Sequence, residues 1–377
     1  MRICLYTATA LPKLGGQEAV VDSLARHFVR MGHEPVVLAP KPRRPLVARD
    51  GELPYPVVRH PRFVSTRDFV SWYRVFLQRV QRRYRFDLIH CHDVYPTGYL
   101  AGLCKSKLGI PLAITSHGGD VRENNPRLER GRIPQRMRMA LQAADVLVSI
   151  APFTEKNFRR LYPEARRIVT IPNGIDLAPY QASATRPAML DSLIREGKYV
   201  FYLGRLAKRK GVDVLLRAMT QVPAGDSVQL VIAGTGDDQA ELKTTSHSLG
   251  LTDRVRFVGR VEGNDKVYLL QNAIATVMPS RVWEAFPLVV LETFAAGRPI
   301  IGTRVPGIAD LIEDGKTGFL FADEDWMGLA QILRPVFADP NQCVQMGAAA
   351  RQVAKRYSWD SVAAMHIELY RELVGLV

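Results

Sequence analysis

The sequence predicts an α/β chain of two parallel-sheet halves, and three observations carry that reading. Its 377 residues make two domains or a little more at about 150 residues per domain. A composition of 47% apolar and 23% charged residues is that of a globular chain. Short apolar runs alternate with amphipathic stretches from end to end, the pattern of repeated βα units.

In the first half the apolar runs place strands at residues 3–7, 34–39, 88–91, 112–116, 146–150 and 168–171. Helices are expected between them at 16–31, 69–84, 97–107 and 134–143. In the second half strands read at 199–204, 229–233, 255–258, 275–278, 299–302 and 318–321. Helices there fall at 211–220, 237–249, 263–271, 287–296 and 326–338. The polar, proline-containing stretch 176–197 is a natural join, giving domains at 1–180 and 190–357. A last amphipathic helix at 359–373 follows the final strand, and 358–377 is expected to cross back and pack on the first half.

Composition also excludes. The N-terminal apolar run turns polar at Thr7 and Lys13, too early for a signal-peptide core, and no apolar run approaches the roughly 18 residues of a membrane span. A cytoplasmic location is expected. Cys4, Cys91, Cys104 and Cys343 are scattered, without zinc or disulfide spacing. His90-Cys91-His92-Asp93 has no further Cys or His pair nearby to complete a tetrahedral site, so no metal is expected.

Charge is split between the halves. Residues 1–190 hold 30 Lys+Arg and 15 Asp+Glu, for +15, whereas 191–377 hold 21 and 22, for −1. The basic residues concentrate in Arg74, Arg79, Arg82, Arg83 and Arg85, then in Arg122, Arg127, Arg130, Arg132, Arg136 and Arg138. Such asymmetry suits an acidic partner, either an anionic membrane surface, an acidic saccharide or nucleic acid; a solvated helix face is the plainer alternative. Phe69, Trp72, Tyr73, Phe76, Val80 and Tyr84 recur at helical spacing beside the first cluster, as in an interfacial helix or a core stripe. Nucleic-acid binding is disfavoured, because only that segment interleaves aromatic residues with basic ones.

The chemistry concentrates at strand ends. Glu284 and Glu292 lie seven residues apart in a mostly apolar stretch, where carboxylates need partners. Arg205 and Lys210 bracket a turn and can clamp a diphosphate, Arg through its planar fork and Lys as a point charge. Glu284 precedes the helix at 287–296, so its carboxylate and the amides of Phe286, Leu288 and Val289 are expected in one space, amides for phosphate and acid for hydroxyls. Gly15-Gly16 opens a helix after the first strand, where backbone amides can approach an anion. His117-Gly118-Gly119-Asp120 follows another strand, with side chains suited to sugar hydroxyls. Gly234-Thr235-Gly236 lacks the third glycine of a dinucleotide fingerprint, and Gly315-Lys316-Thr317 lacks the first glycine of a phosphate loop, so a nicotinamide enzyme and a P-loop enzyme are both disfavoured.

Together these pieces resemble the retaining glycosyltransferases of family 4. They run in family order: Gly15-Gly16, His117 to Asp120, Pro172-Asn173-Gly174-Ile175-Asp176, Gly204-Arg205 with Lys210-Gly211, Gly234 to Gly236, Glu284 to Glu292, and Gly315 to Gly318. The resemblance implies the GT-B fold, two Rossmann-like domains facing across a cleft, with acceptor on the first and nucleotide sugar on the second. It implies catalytic roles for His117, Glu284, Arg205 and Lys210. Donor contacts are implied for Gly15, Gly16, Asp120, Arg205, Lys210, Gly234, Val258, Phe286, Leu288, Val289 and Glu292. It further implies retention, no metal and no cofactor beyond the donor substrate, and an acceptor that is a saccharide or lipid-linked, in cell-surface polysaccharide or glycolipid synthesis. With a lipid-linked acceptor, the basic half would meet the inner face of the cell membrane. One departure stands out: the family's Glu-x-Phe-Gly is Glu284-Ala285-Phe286-Pro287 here, and proline has no amide to donate, so phosphate contact shifts to Leu288 or Val289. A sugar-nucleotide 2-epimerase of the same fold and a non-catalytic nucleic-acid binder are the alternatives.

Overall fold

The computed structural model describes residues 1–13, 15–42, 50–62, 67–123, 125–187, 198–224 and 229–376, without the side chains of 67–69 and 127. The expectations for the side chains of Phe69 and Arg127, and for a join within 188–197, lie outside the described residues. Two compact units result, Met1–Gly174 with Trp359–Val377, and Ile175–Ser358. The division therefore falls at 174/175, a few residues before the expected join.

The first unit carries strands β1 (Arg2–Tyr6), β2 (Glu34–Pro40), β3 (Val57–His60), β4 (Leu88–Cys91), β5 (Leu112–Ser116), β6 (Val146–Ser149) and β7 (Ile168–Thr170). They form one parallel sheet in the order β3-β2-β1-β4-β5-β6-β7. In the second unit β8 (Val200–Leu203), β9 (Leu230–Ala233), β10 (Val255–Gly259), β11 (Thr276–Met278), β12 (Ile300–Thr303) and β13 (Gly318–Phe321) form another, ordered β10-β9-β8-β11-β12-β13. Central strands such as Leu88–Cys91 and Leu230–Ala233 are buried throughout, because helices cover both faces of a parallel sheet. Both orders reverse direction once, between β1 and β4 and between β8 and β11. In open α/β sheets that reversal opens a crevice at the carboxyl ends of the strands, where ligands bind.

The helix Trp359–Leu373 belongs to the first unit, as expected. Trp359, Val362, Ala363, Ile367 and Tyr370 join Val20, Leu24 and Phe28 of helix Gly16–Arg30 in one buried cluster. On the other sheet face, helices Arg67–Tyr84 and Ile133–Ala143 bury Tyr73, Leu77, Val80, Met137 and Ala140. Of the described members of the aromatic stripe, Tyr73 and Val80 are core and Phe76 and Tyr84 pack against it, while Trp72 and its neighbour Val75 stay 41% and 48% exposed among exposed Arg74, Arg79, Arg82 and Arg83.

Several elements differ from expectation. The helix expected at 97–107 is a wide turn, Val94–Gly98, followed by two single-turn helices, Tyr99–Gly102 and Lys105–Leu108. Gly98 and Gly102 weaken a continuous helix, and Gly102 lies so close to helix Ile133–Ala143 that a Cβ would sit 2.8 Å from that of Ala143. Strand β3 and helices Pro152–Leu161 and Asn341–Arg356 were not expected. No described helix is long and apolar enough to cross a membrane.

Candidate active site

The loops at the second unit's reversal bring together residues far apart in sequence. After β8 the chain turns through Lys208–Lys210 into Gly211, whose φ is +64°. A Cβ at Gly211 would lie 1.9 Å from the Pro279 carbonyl oxygen in the loop after β11, so only glycine lets the two loops meet. Lys210 Nζ then donates to Glu284 Oε1 at 2.6 Å, with side-chain exposures of 15% and 14%. The same oxygen accepts from Ser280 Oγ and Arg209 Nη1, each at 3.2 Å. Oε2 has no hydrogen bond among the described residues, which leaves it open to a ligand hydroxyl. Exposed ion pairs contribute about 0–1 kcal/mol, whereas in one as sheltered as this, removing Glu284 leaves the Lys210 charge uncompensated, and removing Lys210 leaves Glu284 only the longer contact to Arg209.

Two supports hold the pair. The Glu284 N–H donates to the Pro306 carbonyl at 3.0 Å, and Gly307, at φ +85°, passes so close that a Cβ would fall 1.5 Å from the Glu284 carbonyl oxygen. Arg281, not anticipated from sequence, ties down the lysine turn. Its N–H donates to the Arg209 carbonyl at 2.9 Å and its Nη1 to the Lys208 carbonyl at 2.7 Å. Asp213 grips the guanidinium with both oxygens at 2.7 Å, and Glu324 also pairs with it. Asp213 and then Glu324 raise its pKa further, so Arg281 is a fixed cation.

Other expected residues spread around this pair. Arg205 pairs with Asp237 at 2.8 Å, both well exposed, and among the described residues makes no hydrogen bond or ion pair with Lys210 or Glu284. Helix Leu288–Ala295 begins after Pro287, and while the Val290 amide is used by the Pro287 carbonyl at 3.0 Å, those of Leu288 and Val289 have no helical acceptor. Phe286 is partly buried, its ring 5.9 Å from that of Tyr357. Glu292 has a partner that sequence reasoning missed, Lys266 of helix Gly263–Asn272, at 2.6 Å. Gly234 packs on the Gly204 carbonyl, and Val258 lies partly buried on β10.

In the first unit the loops at the reversal are tied by hydrogen bonds. Asp93 Oδ2 accepts from the Ala8 N–H at 3.0 Å and from Gln17 Nε2 at 2.9 Å, and Gln17 Nε2 also donates to the His92 carbonyl at 2.7 Å. Gly15 and Gly16 are exposed at the start of helix Gly16–Arg30, and a Cβ on Gly16 would meet nothing within 4 Å. Beneath them Glu18 is buried; burial pushes its carboxyl up, but Lys13 at 2.8 Å and Thr9 outweigh that and hold it below its ordinary value.

Asp120 accepts from the Val94 N–H at 2.8 Å on one oxygen and from Ser116 on the other, so both its oxygens are committed within the unit; burial nonetheless pushes its pKa up. His117 Nε2 lies 3.2 Å from His92 Nδ1, and burial pushes the His117 pKa down to about 4. Of the His-Cys-His run, His90 bonds Tyr370 and Thr115 at 2.5 and 2.6 Å. Among the described residues no three His, Cys, Asp or Glu side chains cluster as a metal site.

Comparison with known proteins agrees with this fold. Residues 14–179 match the family described as Glycosyltransferase Family 4, and residues 191–353 match Glycosyl transferases group 1. A D-inositol 3-phosphate glycosyltransferase of Arthrobacter sp. is 30% identical over 316 residues, covering 79% of this chain and 74% of its own. Sucrose-phosphate synthase of Thermosynechococcus elongatus superposes with a TM-score of 0.79 at 24% identity, over 100% of both chains. The Anabaena protein HepE in complex with UDP does so with a TM-score of 0.81 at 20% identity, over 99% of this chain and 100% of its own. The chain belongs to glycosyltransferase family 4 and is a glycosyltransferase of GT-B architecture.

Proposed function

We propose that the chain moves a sugar from a nucleoside-diphosphate sugar to a saccharide or lipid-linked acceptor, with retention of anomeric configuration and without a metal. The observation that carries this is the Lys210–Glu284 pair at 2.6 Å, at the strand-order reversal beside the Leu288 and Val289 amides. Lys210, with Arg205, neutralises the diphosphate; the amides of Leu288 and Val289 take a phosphate oxygen, and Glu284 Oε2 accepts a donor-sugar hydroxyl. Glu292 takes the ribose hydroxyls. Gly16 offers backbone to the phosphates, and His117 meets the sugar.

Transfer proceeds on one face of the sugar. The bond from the anomeric carbon to the diphosphate oxygen breaks, the acceptor oxygen bonds to that carbon, and the acceptor's proton passes to the leaving phosphate oxygen. The protein contributes positioning and charge stabilisation on both sides of a short-lived oxocarbenium ion. Since HepE is described with UDP and UDP-glucose, UDP-sugars are the first probes. A thermal-shift screen of sugar nucleotides, hydrolysis assays on the hits and NMR of the product's anomeric linkage test the reading. An inverted linkage removes the same-face mechanism, and activity abolished by EDTA removes metal independence.

A second element is membrane contact by the first unit. Trp72 and Val75 project beside Arg74 and Arg79 on the helix Arg67–Tyr84, so apolar insertion and attraction to anionic headgroups are available together. Co-sedimentation with liposomes should rise with anionic lipid content and fall in Trp72→Ala. Binding indifferent to lipid charge contradicts it.

A further inference from the structure

The two ring nitrogens of His117 are unequal. Nε2 faces His92 Nδ1 at 3.2 Å, whereas Nδ1 has no hydrogen bond among the described residues. His92 itself is 1% exposed, and its Nε2 is sealed with no hydrogen-bond partner among the described residues. The backbone holds it there: the His92 N–H donates to the Tyr6 carbonyl at 2.8 Å and its carbonyl accepts from Gln17 at 2.7 Å. Its ring lies 4.4 Å from that of His90 and stacks on His117 at 5.4 Å, with 18° between the planes.

Burial holds both imidazoles neutral near pH 7, so each carries one N–H. Were His117 Nε2 the donor, His92 would have to carry its proton on Nε2, a buried N–H with nothing to accept it. Orphaned buried donors are rarer in folded proteins than unfilled acceptors. With the proton on His92 Nδ1 instead, the N–H is used and only a lone pair is left idle. His117 must then carry its own proton on Nδ1.

We propose that His92 is a positioning residue: by donating its Nδ1–H to His117 Nε2, it fixes His117 as the Nδ1–H tautomer, a hydrogen-bond donor toward an oxygen of the bound sugar nucleotide. The proton placement stands on burial and hydrogen-bond geometry, and the identity of the ligand rests on the proposed function. An acceptor-type ligand group, such as a hydroxyl using its oxygen or a phosphate oxygen, is favoured over one that must donate to this nitrogen.

The test is the two-bond 1H–15N spectrum of full-length protein carrying 15N-histidine, with His117 assigned by its loss in His117→Gln. The expected spectrum shows His117 protonated at Nδ1 and bare at Nε2, with no ligand added. In His92→Phe that preference should be lost and kcat/KM for the donor should fall at least about tenfold, since a wrong tautomer disables an imidazole. His92→Asn, whose amide N–H sits near the former Nδ1, should restore both. His117 protonated at Nε2 in the wild type overturns the proposal, whatever the activity. The expected tautomer in a protein that binds no sugar nucleotide supports the proton placement and defeats the functional reading instead.

Discussion

In the first unit the loops at the strand-order reversal are joined through Asp93, Gln17, Asp120 and neutral imidazoles, whereas in the second they are joined through ion pairs, Lys210 with Glu284 and Arg281 with Asp213. The sheets share one strand order apart from β7 at the edge of the first. Topology places a site, while the side chains at its rim decide whether its loops are tied mainly by carboxylates accepting from amides or by charged pairs. The same contrast makes the two units respond differently to perturbation.

Acid should separate them most. His33, His60, His90, His92, His117 and His366 all have pKa values pushed down, by burial first in every case, and all lie in the first unit; the second contains only His247. The unfolded chain protonates these rings near pH 6.5, the folded one near 4 for His60, His117 and His366. Between those values the unfolded state binds more protons, so stability falls as pH drops, by at most about 1.4 kcal/mol per pH unit for each ring. Asp120, raised by burial, acts with the opposite sign, but singly. Limited proteolysis at pH 5 should cut the first unit before the second; the reverse order would break the comparison.

Lys210→Ala should come next. Loss of a charge-stabilising donor costs about 3–4 kcal/mol of transition-state stabilisation, or roughly a hundred- to a thousandfold in transfer rate. A wild-type rate at both saturating and subsaturating donor contradicts the assignment. Gly307→Ala should then destabilise the second unit by about 2–3 kcal/mol, through its positive φ and the clash with Glu284, lowering Tm by about 5–10 °C. An unchanged melting curve would mean that the Glu284 backbone is not held as described. Smallest is Gly16→Ala, where the new Cβ touches nothing: stability should stay within about 0.5 kcal/mol while donor affinity weakens. Unaltered affinity would remove the first unit's backbone from the donor site.

Much of the fold was legible because buried parallel strands are unbroken apolar runs: Leu88–Cys91, Leu112–Ser116 and Gly318–Phe321 lie where expected. Val57–His60 was not legible, since an edge strand that is half-buried and carries Arg59 and His60 has no such run. Helix Asn341–Arg356 hides its buried face in small residues, Gly347, Ala350 and Ala354. At the site, Lys210 and Glu284 were both named and are in contact. Arg205 turns to Asp237 instead, and Lys266, Arg281 and His92 were missed as supports. Partners 26 to 74 residues apart leave no periodic trace, because only the folded loops bring them together. His92 did carry a signal, the His-Cys-His-Asp run, which was weighed as a metal cluster and set aside, and nothing in the spacing points to a second imidazole at 117.

The most direct measurement is hydrogen exchange with and without saturating sugar nucleotide, after the screen has identified one that binds. The account predicts slowed exchange at residues 204–211 and 280–292, with Lys210→Ala losing that protection at equal ligand concentration. Protection confined to other segments of the second unit, or indifferent to Lys210, would contradict a donor site at the Lys210–Glu284 pair.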